Sequence, residues 1–180
     1  MLEEIICAGF GGQGIIFMGK LLAWAALECD KFVTYIPSYG AEMRGGTANC
    51  SVIISDNEIP SPLIEKPTGL IVMNRNSLDK FEKRLKKGGL LVINSSLAGR
   101  RASREDTEVL YVPATEIAEE VGDVRVANIV AIGAYVGRGE VLPIEKIEQS
   151  LYHLLPKGDR ELLEKNVRAL KRGEEIGKKL

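Results

Sequence analysis

A glycine-rich loop set directly between an apolar run and a helical repeat is the feature that most constrains the fold. The apolar run covers residues 5–8, the loop covers 9–14, and apolar residues then recur at helical spacing from Ile15 to about Cys29. A buried strand, a tight turn and a helix in this order are typical of α/β proteins with a parallel sheet. Ligands of such proteins gather at the carboxyl ends of the strands, where this loop lies.

The rest of the chain continues to alternate strands and helices. Further strands are predicted at residues 31–36, 69–73, 90–94 and 109–112, and helices at 78–85, 115–121, 128–136 and in two stretches after residue 143. We expect Pro37 to end the second strand, because proline lacks the N–H that a ladder needs. Residues 48–54 and 58–62 flank the turn-forming pair Asp56-Asn57 and predict an antiparallel hairpin, its second strand at an edge because of its prolines.

These elements together predict the fold class. All-apolar strands that alternate with helices indicate an α/β protein with a mainly parallel sheet and helices on both faces. The expected architecture is Rossmann-like and three-layered, with an antiparallel hairpin insertion after the second strand. Both glycine-rich loops, residues 9–14 and 38–47, should then emerge at the carboxyl edge of the sheet.

The charge balance and the apolar runs exclude two classes of partner. With 24 Lys and Arg against 25 Asp and Glu, the chain lacks the positive charge on which nucleic-acid binding depends. Its apolar runs are far shorter than the roughly 18 residues that span a bilayer. The stretch Met1-Leu2-Glu3-Glu4 also lacks the basic start of a signal peptide. We therefore expect a cytoplasmic protein that binds neither nucleic acid nor membrane.

The chain is poor in residues for metal and acid–base chemistry. Cys7, Cys29 and Cys50 stand singly in apolar segments without a C-x-x-C pair, so no zinc or iron–sulfur site can be built from local ligands. We expect the cysteines to be small core residues. The one histidine, His153, is expected to be a partly exposed structural residue.

The first glycine loop allows several interpretations. The run Gly9-Phe10-Gly11-Gly12-Gln13-Gly14 satisfies the G-x-G-x-x-G spacing. Binding of NAD or FAD also needs an acid at the end of the second strand, and no acid stands there. A Walker loop needs Gly-Lys followed by Ser or Thr, which is missing. A tight turn that only packs stays possible, although the amide of Gln13 favours contact with a ligand or a neighbouring chain.

The second loop and one helix start supply the other candidates. Arg44 stands before Gly45 and Gly46, an arrangement suited to a carboxylate or a phosphate. The alternative is a local ion pair with Glu42. Tyr39 either binds a ligand or only closes the loop. Asn128, at the start of a predicted buried helix, is either a helix N-cap or a ligand contact.

Four segments in this order resemble one family. They are residues 11–14, residues 38–47, residues 127–134 and the closing stretch 166–173. Together they resemble the gamma subunit, or gamma domain, of the 2-oxoacid:ferredoxin oxidoreductases. The amino-acid sequence of residues 38–51 is most similar to that of the 2-oxoglutarate branch. The resemblance implies that residues 1–180 form a single gamma-type domain, of the pyruvate/ketoisovalerate oxidoreductase catalytic kind.

The resemblance also implies a function within a larger enzyme. Enzymes of this family oxidatively decarboxylate a 2-oxo acid to an acyl-CoA, with CoA as co-substrate and ferredoxin as the electron acceptor. Thiamine diphosphate, magnesium and the iron–sulfur clusters are expected on partner subunits, namely alpha and beta and often delta. Ferredoxin is expected to bind to the assembled complex. This chain is expected to bind no cofactor or metal alone, to carry no catalytic residue of its own, and to shape the entrance on the CoA and substrate side.

Ten residues carry over from the family's motifs as ligand or interface residues. They are Gly11, Gly12, Gln13, Gly14, Tyr39, Glu42, Arg44, Gly45, Gly46 and Asn128. Two other functions stay open at this point. One is a stand-alone α/β protein that binds a nucleotide or phosphate ligand at residues 9–14, and the other is a pure assembly scaffold.

Overall fold

The fold was derived from a computed structural model that describes residues 1–39 and 47–179. Its strands are β1 (Leu2–Phe10), β2 (Phe32–Tyr39), β3 (Thr47–Ser55), β4 (Gly69–Val72), β5 (Leu90–Asn94) and β6 (Glu108–Val112). Its α-helices are α1 (Ile15–Leu27), α2 (Arg75–Phe81), α3 (Ser95–Ala98), α4 (Ala114–Val121), α5 (Ala127–Gly139), α6 (Ile144–Leu154) and α7 (Arg160–Lys179). Within these described ranges, no helix is long and apolar enough to cross a membrane.

One mixed sheet forms the centre of the molecule. In the part of the chain that the structure describes, its six strands are ordered β2-β3-β1-β4-β5-β6. β1, β4, β5 and β6 run parallel to one another, whereas β3 is antiparallel to both of its neighbours, β1 and β2. The predicted α/β class, with a mainly parallel sheet and an antiparallel element after the second strand, is confirmed.

The prediction that residues 48–54 pair with residues 58–62 in the antiparallel hairpin is wrong. β3 pairs with β2 on one side and with β1 on the other, and residues 58–62 form no strand. These residues instead follow the turn after Ser55 as an irregular segment, since two prolines in five residues leave few N–H donors for a ladder. Pro37 does not end β2, because β2 is an edge strand and tolerates a residue without an N–H.

Apolar side chains fill both sides of the sheet. On one face, Ile5, Cys7 and Val92 pack under α1, α4, α5, α6 and α7. On the other face, Ile6 and Leu91 pack against α2, the 3-10 turn after it and α3. Alternate residues of one strand thus enter different cores, as the period of two in a β-strand requires. The predicted three layers are confirmed.

Helices α5 and α7 lie unusually close together. Four glycines make this possible: Gly133 and Gly137 on α5, and Gly173 and Gly177 on α7. A Cβ on any of them would overlap the backbone of the facing helix, as a Cβ on Gly173 would overlap the Val130 carbonyl oxygen. The contacts advance in the same direction along both helices, from Val130 with Gly173 to Ala134 with Gly177, so the two helices run parallel. This packing fixes α5, whose first turn reaches the carboxyl edge of the sheet.

Candidate functional site

The loop after β1 turns by means of two left-handed glycines. Gly12 has φ of 95° and Gly14, the N-cap of α1, has φ of 69°. An L-residue with a side chain is strained in that region, so glycine is needed for the turn itself. A Cβ on Gly14 would also overlap the side-chain amide of Asn128. The loop therefore presents backbone and small residues at its tip, where Gly11 and Gly12 are exposed.

The side chain of Gln13 points back into the fold and ties the loop to the neighbouring strand. Its Oε1 accepts hydrogen bonds from the backbone N–H of Phe10 at 2.7 Å and from Nδ2 of Asn74 at 3.0 Å. Its Nε2 donates to the carbonyl oxygen of Met73 at 3.4 Å. Asn74 follows β4 and caps α2 by accepting from the N–H of Ser77 at 2.9 Å. The Gln13 amide, for which the sequence predicts contact with a ligand or a neighbouring chain, thus has a structural partner at the end of the next strand.

A second asparagine extends this row of amides along the sheet edge. Asn94, the last residue of β5, donates from Nδ2 to Oγ1 of Thr115 at 3.0 Å and to the Met73 carbonyl oxygen at 3.4 Å. Its Oδ1 accepts from the backbone N–H of Ala114 at 3.1 Å, at the first residue of α4. The ends of β1, β4 and β5 and the start of α4 are therefore joined by side-chain amides.

Asn128 joins the starts of two helices. It is 4% exposed, and its Nδ2 donates to the carbonyl oxygen of Gly14 at 3.2 Å. The alternative that it is the N-cap of α5 is wrong, because the N-cap is Val126 and Asn128 is the second residue of the helix, with its side chain on the start of α1. Its Oδ1 is buried and has no hydrogen-bond partner among the described residues.

A small cleft opens beside these groups. Its volume is about 230 Å³, and its wall is formed by Gly12, Gln13, Met73, Leu97, Thr115, Val124, Arg125 and Ala127. Leu97 and Val124 are exposed apolar residues at its rim. Arg125 is held by Asp123, with Nη2 at 2.6 Å from Oδ2 and Nε at 2.9 Å from Oδ1. That ion pair lowers the pKa of Asp123 to about 2. We name this feature the edge cleft.

The two ends of the second predicted loop lie at the same edge. Phe10 is opposite Thr47 in the β1–β3 ladder, and Tyr39 is opposite Ala48 in the β2–β3 ladder. The predicted residues Glu42, Arg44, Gly45 and Gly46 lie outside the described residues. For Tyr39, the backbone at the end of β2 is described, and its side chain is not.

The described cysteines do not line the edge cleft and do not form a cluster site. Cys7 and Cys50 are directly opposite on β1 and β3, and both are fully buried. A hydrogen bond with Cys50, together with burial, raises the pKa of the Cys7 thiol well above its usual value. Across residues 1–39 and 47–179, no group of three or more His, Cys, Asp or Glu side chains could hold a metal ion. These residues do not fit an iron–sulfur cluster.

The sequence itself held a signal for the residues that were missed. Asn74 and Asn94 each follow an apolar run that forms a parallel strand, as in Leu90-Leu91-Val92-Ile93-Asn94. A polar amide placed directly after such a strand lies at the edge where ligands gather. Thr115 carries no comparable signal, since it reads as an ordinary residue of a helix start.

The family described as pyruvate ferredoxin/flavodoxin oxidoreductase matches the chain over residues 4–176. The chain belongs to this family. A curated relative from Methanocaldococcus jannaschii, the 2-oxoglutarate synthase subunit KorC, is 37% identical to this oxidoreductase family member. The match covers 100% of this chain and 96% of the relative.

Two solved structures share the fold of this oxidoreductase family member. The gamma subunit of the keto/oxoacid ferredoxin oxidoreductase from Geobacter sulfurreducens is 31% identical, with a TM-score of 0.87, and the match covers 98% of this chain and 97% of that one. A 2-oxoglutarate:ferredoxin oxidoreductase from Magnetococcus marinus has a TM-score of 0.91 at 23% identity, with 99% of this chain matching 31% of that chain. At that identity the second match concerns the fold alone.

Proposed function

We propose that the chain is the gamma-type subunit of a 2-oxoacid:ferredoxin oxidoreductase of the 2-oxoglutarate type. The complex would oxidatively decarboxylate a 2-oxo acid to its acyl-CoA and pass the electrons to ferredoxin. The observation that carries this proposal is the match to the 2-oxoglutarate synthase subunit KorC over the whole of both chains. Residues 1–180 would act as one domain of the complex, which we expect to work in the cytoplasm.

The chemistry would be supplied by partner subunits. Thiamine diphosphate and magnesium would be bound by alpha and beta subunits, and the iron–sulfur clusters by these or by a delta subunit. The described residues support this division, since the buried Cys7 and Cys50 lie in the core and have no further ligands around them. The chain itself would contribute structure and assembly surfaces and no catalytic residue.

The contribution beyond structure would be made at the carboxyl edge of the sheet. Gln13 fixes the first loop from behind, which leaves the backbone of Gly11 and Gly12 facing outward. The loop with Arg44 begins and ends beside it, at Tyr39 and Thr47. Two adjacent glycine-rich loops suit the entrance through which CoA or the 2-oxo acid reaches the partner's active site.

Co-expression tests the proposed subunit role. Purified alone, the chain should show no CoA-dependent oxidation of 2-oxoglutarate with ferredoxin as acceptor. Expressed together with its alpha and beta partners, it should co-purify as a complex that has this activity, and omission of the chain should lower that activity. An isolated chain that is active and carries iron, or partners that are fully active without it, would overturn the proposal.

Substitutions distinguish a chain that shapes a substrate entrance from one that is only an assembly scaffold. In the assembled enzyme, Arg44→Ala should raise the KM for CoA or for the 2-oxo acid several-fold, because one guanidinium–oxyanion contact contributes about 1.5–3 kcal/mol before solvent screening. Lys83→Ala, an exposed change on the 3-10 turn after α2, is the control. An unchanged KM in Arg44→Ala would favour a pure scaffold, and tight binding of NAD, FAD or ATP by the isolated chain would favour a stand-alone nucleotide-binding protein.

A further inference from the structure

We propose that a groove between α6 and the first two turns of α7 is the surface on which an acidic amphipathic helix of a partner subunit docks. We name this feature the α6–α7 groove, and its wall is formed by Tyr152, Arg160, Leu163, Glu164, Val167 and Arg168. It shares no residue with the edge cleft. The inference rests on the proposed function, because that function supplies the partner subunits.

The groove is open because the two ends of α7 are covered to different degrees. The later turns of α7 pack on α5 through Gly173 and Gly177. In the first two turns, Leu163 and Val167 touch the core and are only half-buried. Tyr152, in the last turn of α6, is 55% exposed beside them. The volume of the groove is about 510 Å³, more than twice that of the edge cleft, and its floor offers room for apolar side chains of a partner.

The apolar surface continues from the groove onto α1. His153 follows Tyr152 on α6, and the centroid of its ring lies 6.3 Å from that of Trp24. Trp24 and Leu27 are both exposed on α1. Tryptophan and tyrosine are enriched among the residues that contribute most to protein interfaces. A strip across three helices suits a helical partner, which with its side chains is about 10 Å wide.

The charges at the groove select an acidic partner. Within residues 1–39 and 47–179, every arginine except Arg160 and Arg168 forms an ion pair, a side-chain hydrogen bond or a contact with an aromatic ring. Glu164 lies four residues from each of these two and forms no ion pair with either. The wall therefore carries two unpaired guanidinium groups against one carboxylate. Guanidinium groups bind carboxylates through paired hydrogen bonds, so acidic side chains on the partner complement this wall.

The spacing of the two arginines specifies the pattern of the partner. Arg160 and Arg168 are two turns apart on α7, a rise of about 12 Å along the helix axis. A helix laid along α7 reaches both with carboxylates about two turns apart, while the apolar stripe between them fills the groove over Leu163 and Val167. A second copy of this chain fits less well, because a symmetric dimer through this groove would bring the arginines of both copies together.

Adding the chain back to its partners tests the groove in the complex itself. Purified alpha and beta subunits are titrated with the chain, and the concentration that gives half-maximal CoA-dependent oxidation of 2-oxoglutarate measures its affinity. We expect Arg168→Glu to raise this concentration about tenfold, because an attraction becomes a repulsion. Lys83→Glu is the control, since it makes the same type of charge reversal at an exposed lysine of the 3-10 turn on the other face of the sheet.

Two neutral substitutions give effects of opposite sign. Arg168→Gln should raise the half-maximal concentration several-fold, whereas Glu164→Gln, which removes the one opposing carboxylate, should lower it. A disturbance of α7 alone would weaken assembly in both variants. Both side chains are exposed, so the urea midpoints of the isolated variants should equal that of the parent chain. Weaker assembly in Glu164→Gln would contradict an acidic partner.

A photo-reactive phenylalanine analogue in place of Tyr152 identifies the occupant of the groove. In the purified complex, we expect cross-links to a helical segment of the alpha or beta subunit that carries carboxylates about two turns apart. Cross-links between two copies of this chain would overturn the proposal in favour of self-association, and equal titrations for Arg168→Glu and Lys83→Glu would also overturn it. Either result leaves the proposed function standing, because the complex is active. A parent chain that neither binds the partners nor restores their activity would refute the proposed function and the groove together.

Discussion

Glu82 is a buried carboxylate that organises the loop after α3. It is 2% exposed, and it accepts hydrogen bonds from Nη2 of Arg100 at 2.8 Å and from the backbone N–H groups of Ser103 and Arg104. Burial by itself would raise the pKa of Glu82, but the hydrogen bonds from Arg100 and Ser103 outweigh it and lower the pKa. The group is therefore charged in the folded protein.

We expect Glu82→Gln to destabilise the chain by about 2–4 kcal/mol, because it removes the buried partner of Arg100, which keeps only the exposed Asp79, and turns an amide N–H₂ toward other donors. The free energy of unfolding from urea denaturation measures the loss. Asp106→Asn is the control: Asp106 pairs with Arg104 at the surface, so this substitution should lower the free energy of unfolding by much less than Glu82→Gln does. Equal losses in the two variants would contradict the role of burial.

Single residues of the candidate site were predictable to different degrees. Gln13 and Gly14 stand out in the sequence because their positions in a strand–loop–helix unit fix their surroundings. Asn128 was predicted to be a helix N-cap or a ligand contact, and its contact with Gly14 was missed because local pattern does not reveal that a residue more than a hundred positions earlier faces it. Thr115 was missed because only the fold brings α4 beside the end of β1.

At the scale of elements, the contact between α5 and α7 is the most sensitive. In isolation, Gly173→Ala would favour a helix by about 1 kcal/mol. Here the added methyl group would overlap the Val130 carbonyl oxygen and lie 2.9 Å from the Ala134 nitrogen, so backbone would have to move. We expect the steric effect to dominate, with a net loss of about 1–3 kcal/mol in the free energy of unfolding.

The matched change for this test is Glu175→Ala, two residues further along α7 on its exposed side. It also introduces alanine into the helix but touches nothing on α5, so it should change stability by less than about 0.5 kcal/mol. Both variants are compared by urea denaturation followed by circular dichroism. A Gly173→Ala protein as stable as Glu175→Ala would mean that the helices have room to separate.

The elements themselves were largely predictable, whereas their neighbours were not. Apolar runs and helical spacing identified β4, β5, β6 and the long helices within a few residues. The pairing of β3 was missed because a strand's own pattern does not specify which strand lies beside it. The short α3 was missed because four residues are too few to show a period.

At the scale of the whole molecule, ion pairs make the fold sensitive to acid. The pKa of Asp123 is lowered to about 2 by Arg125, and that of Asp56 is lowered to about 2 by Lys31. A carboxylate whose pKa is lowered in the folded state stabilises the protein at pH values above the pKa of the same group in the unfolded chain, near 4. That contribution is lost as the pH falls from about 4 to 2.

We therefore expect the urea concentration at the unfolding midpoint to decrease as the pH is lowered from 5 to 2. The decrease should be smaller in Asp123→Asn, which has no carboxylate to protonate at this position. Fluorescence of Trp24, the chain's one tryptophan, can follow unfolding because this residue is 38% exposed in the folded chain. A parallel series at 0.5 M salt should show a shallower dependence, since exposed pairs are screened. Identical pH profiles for Asp123→Asn and the parent would contradict the assignment to this pair.

The register of β3 has a geometric consequence for the two loops. Because β3 is hydrogen-bonded to both β1 and β2, the pairs Phe10–Thr47 and Tyr39–Ala48 set how far each loop stem projects beyond the sheet. A slip of two residues in either ladder would keep every side chain on its proper face, yet would displace one stem relative to the other by about 6.8 Å. The antiparallel strand β3 therefore sets the spacing between the two loop stems through the backbone pairing along both of its ladders.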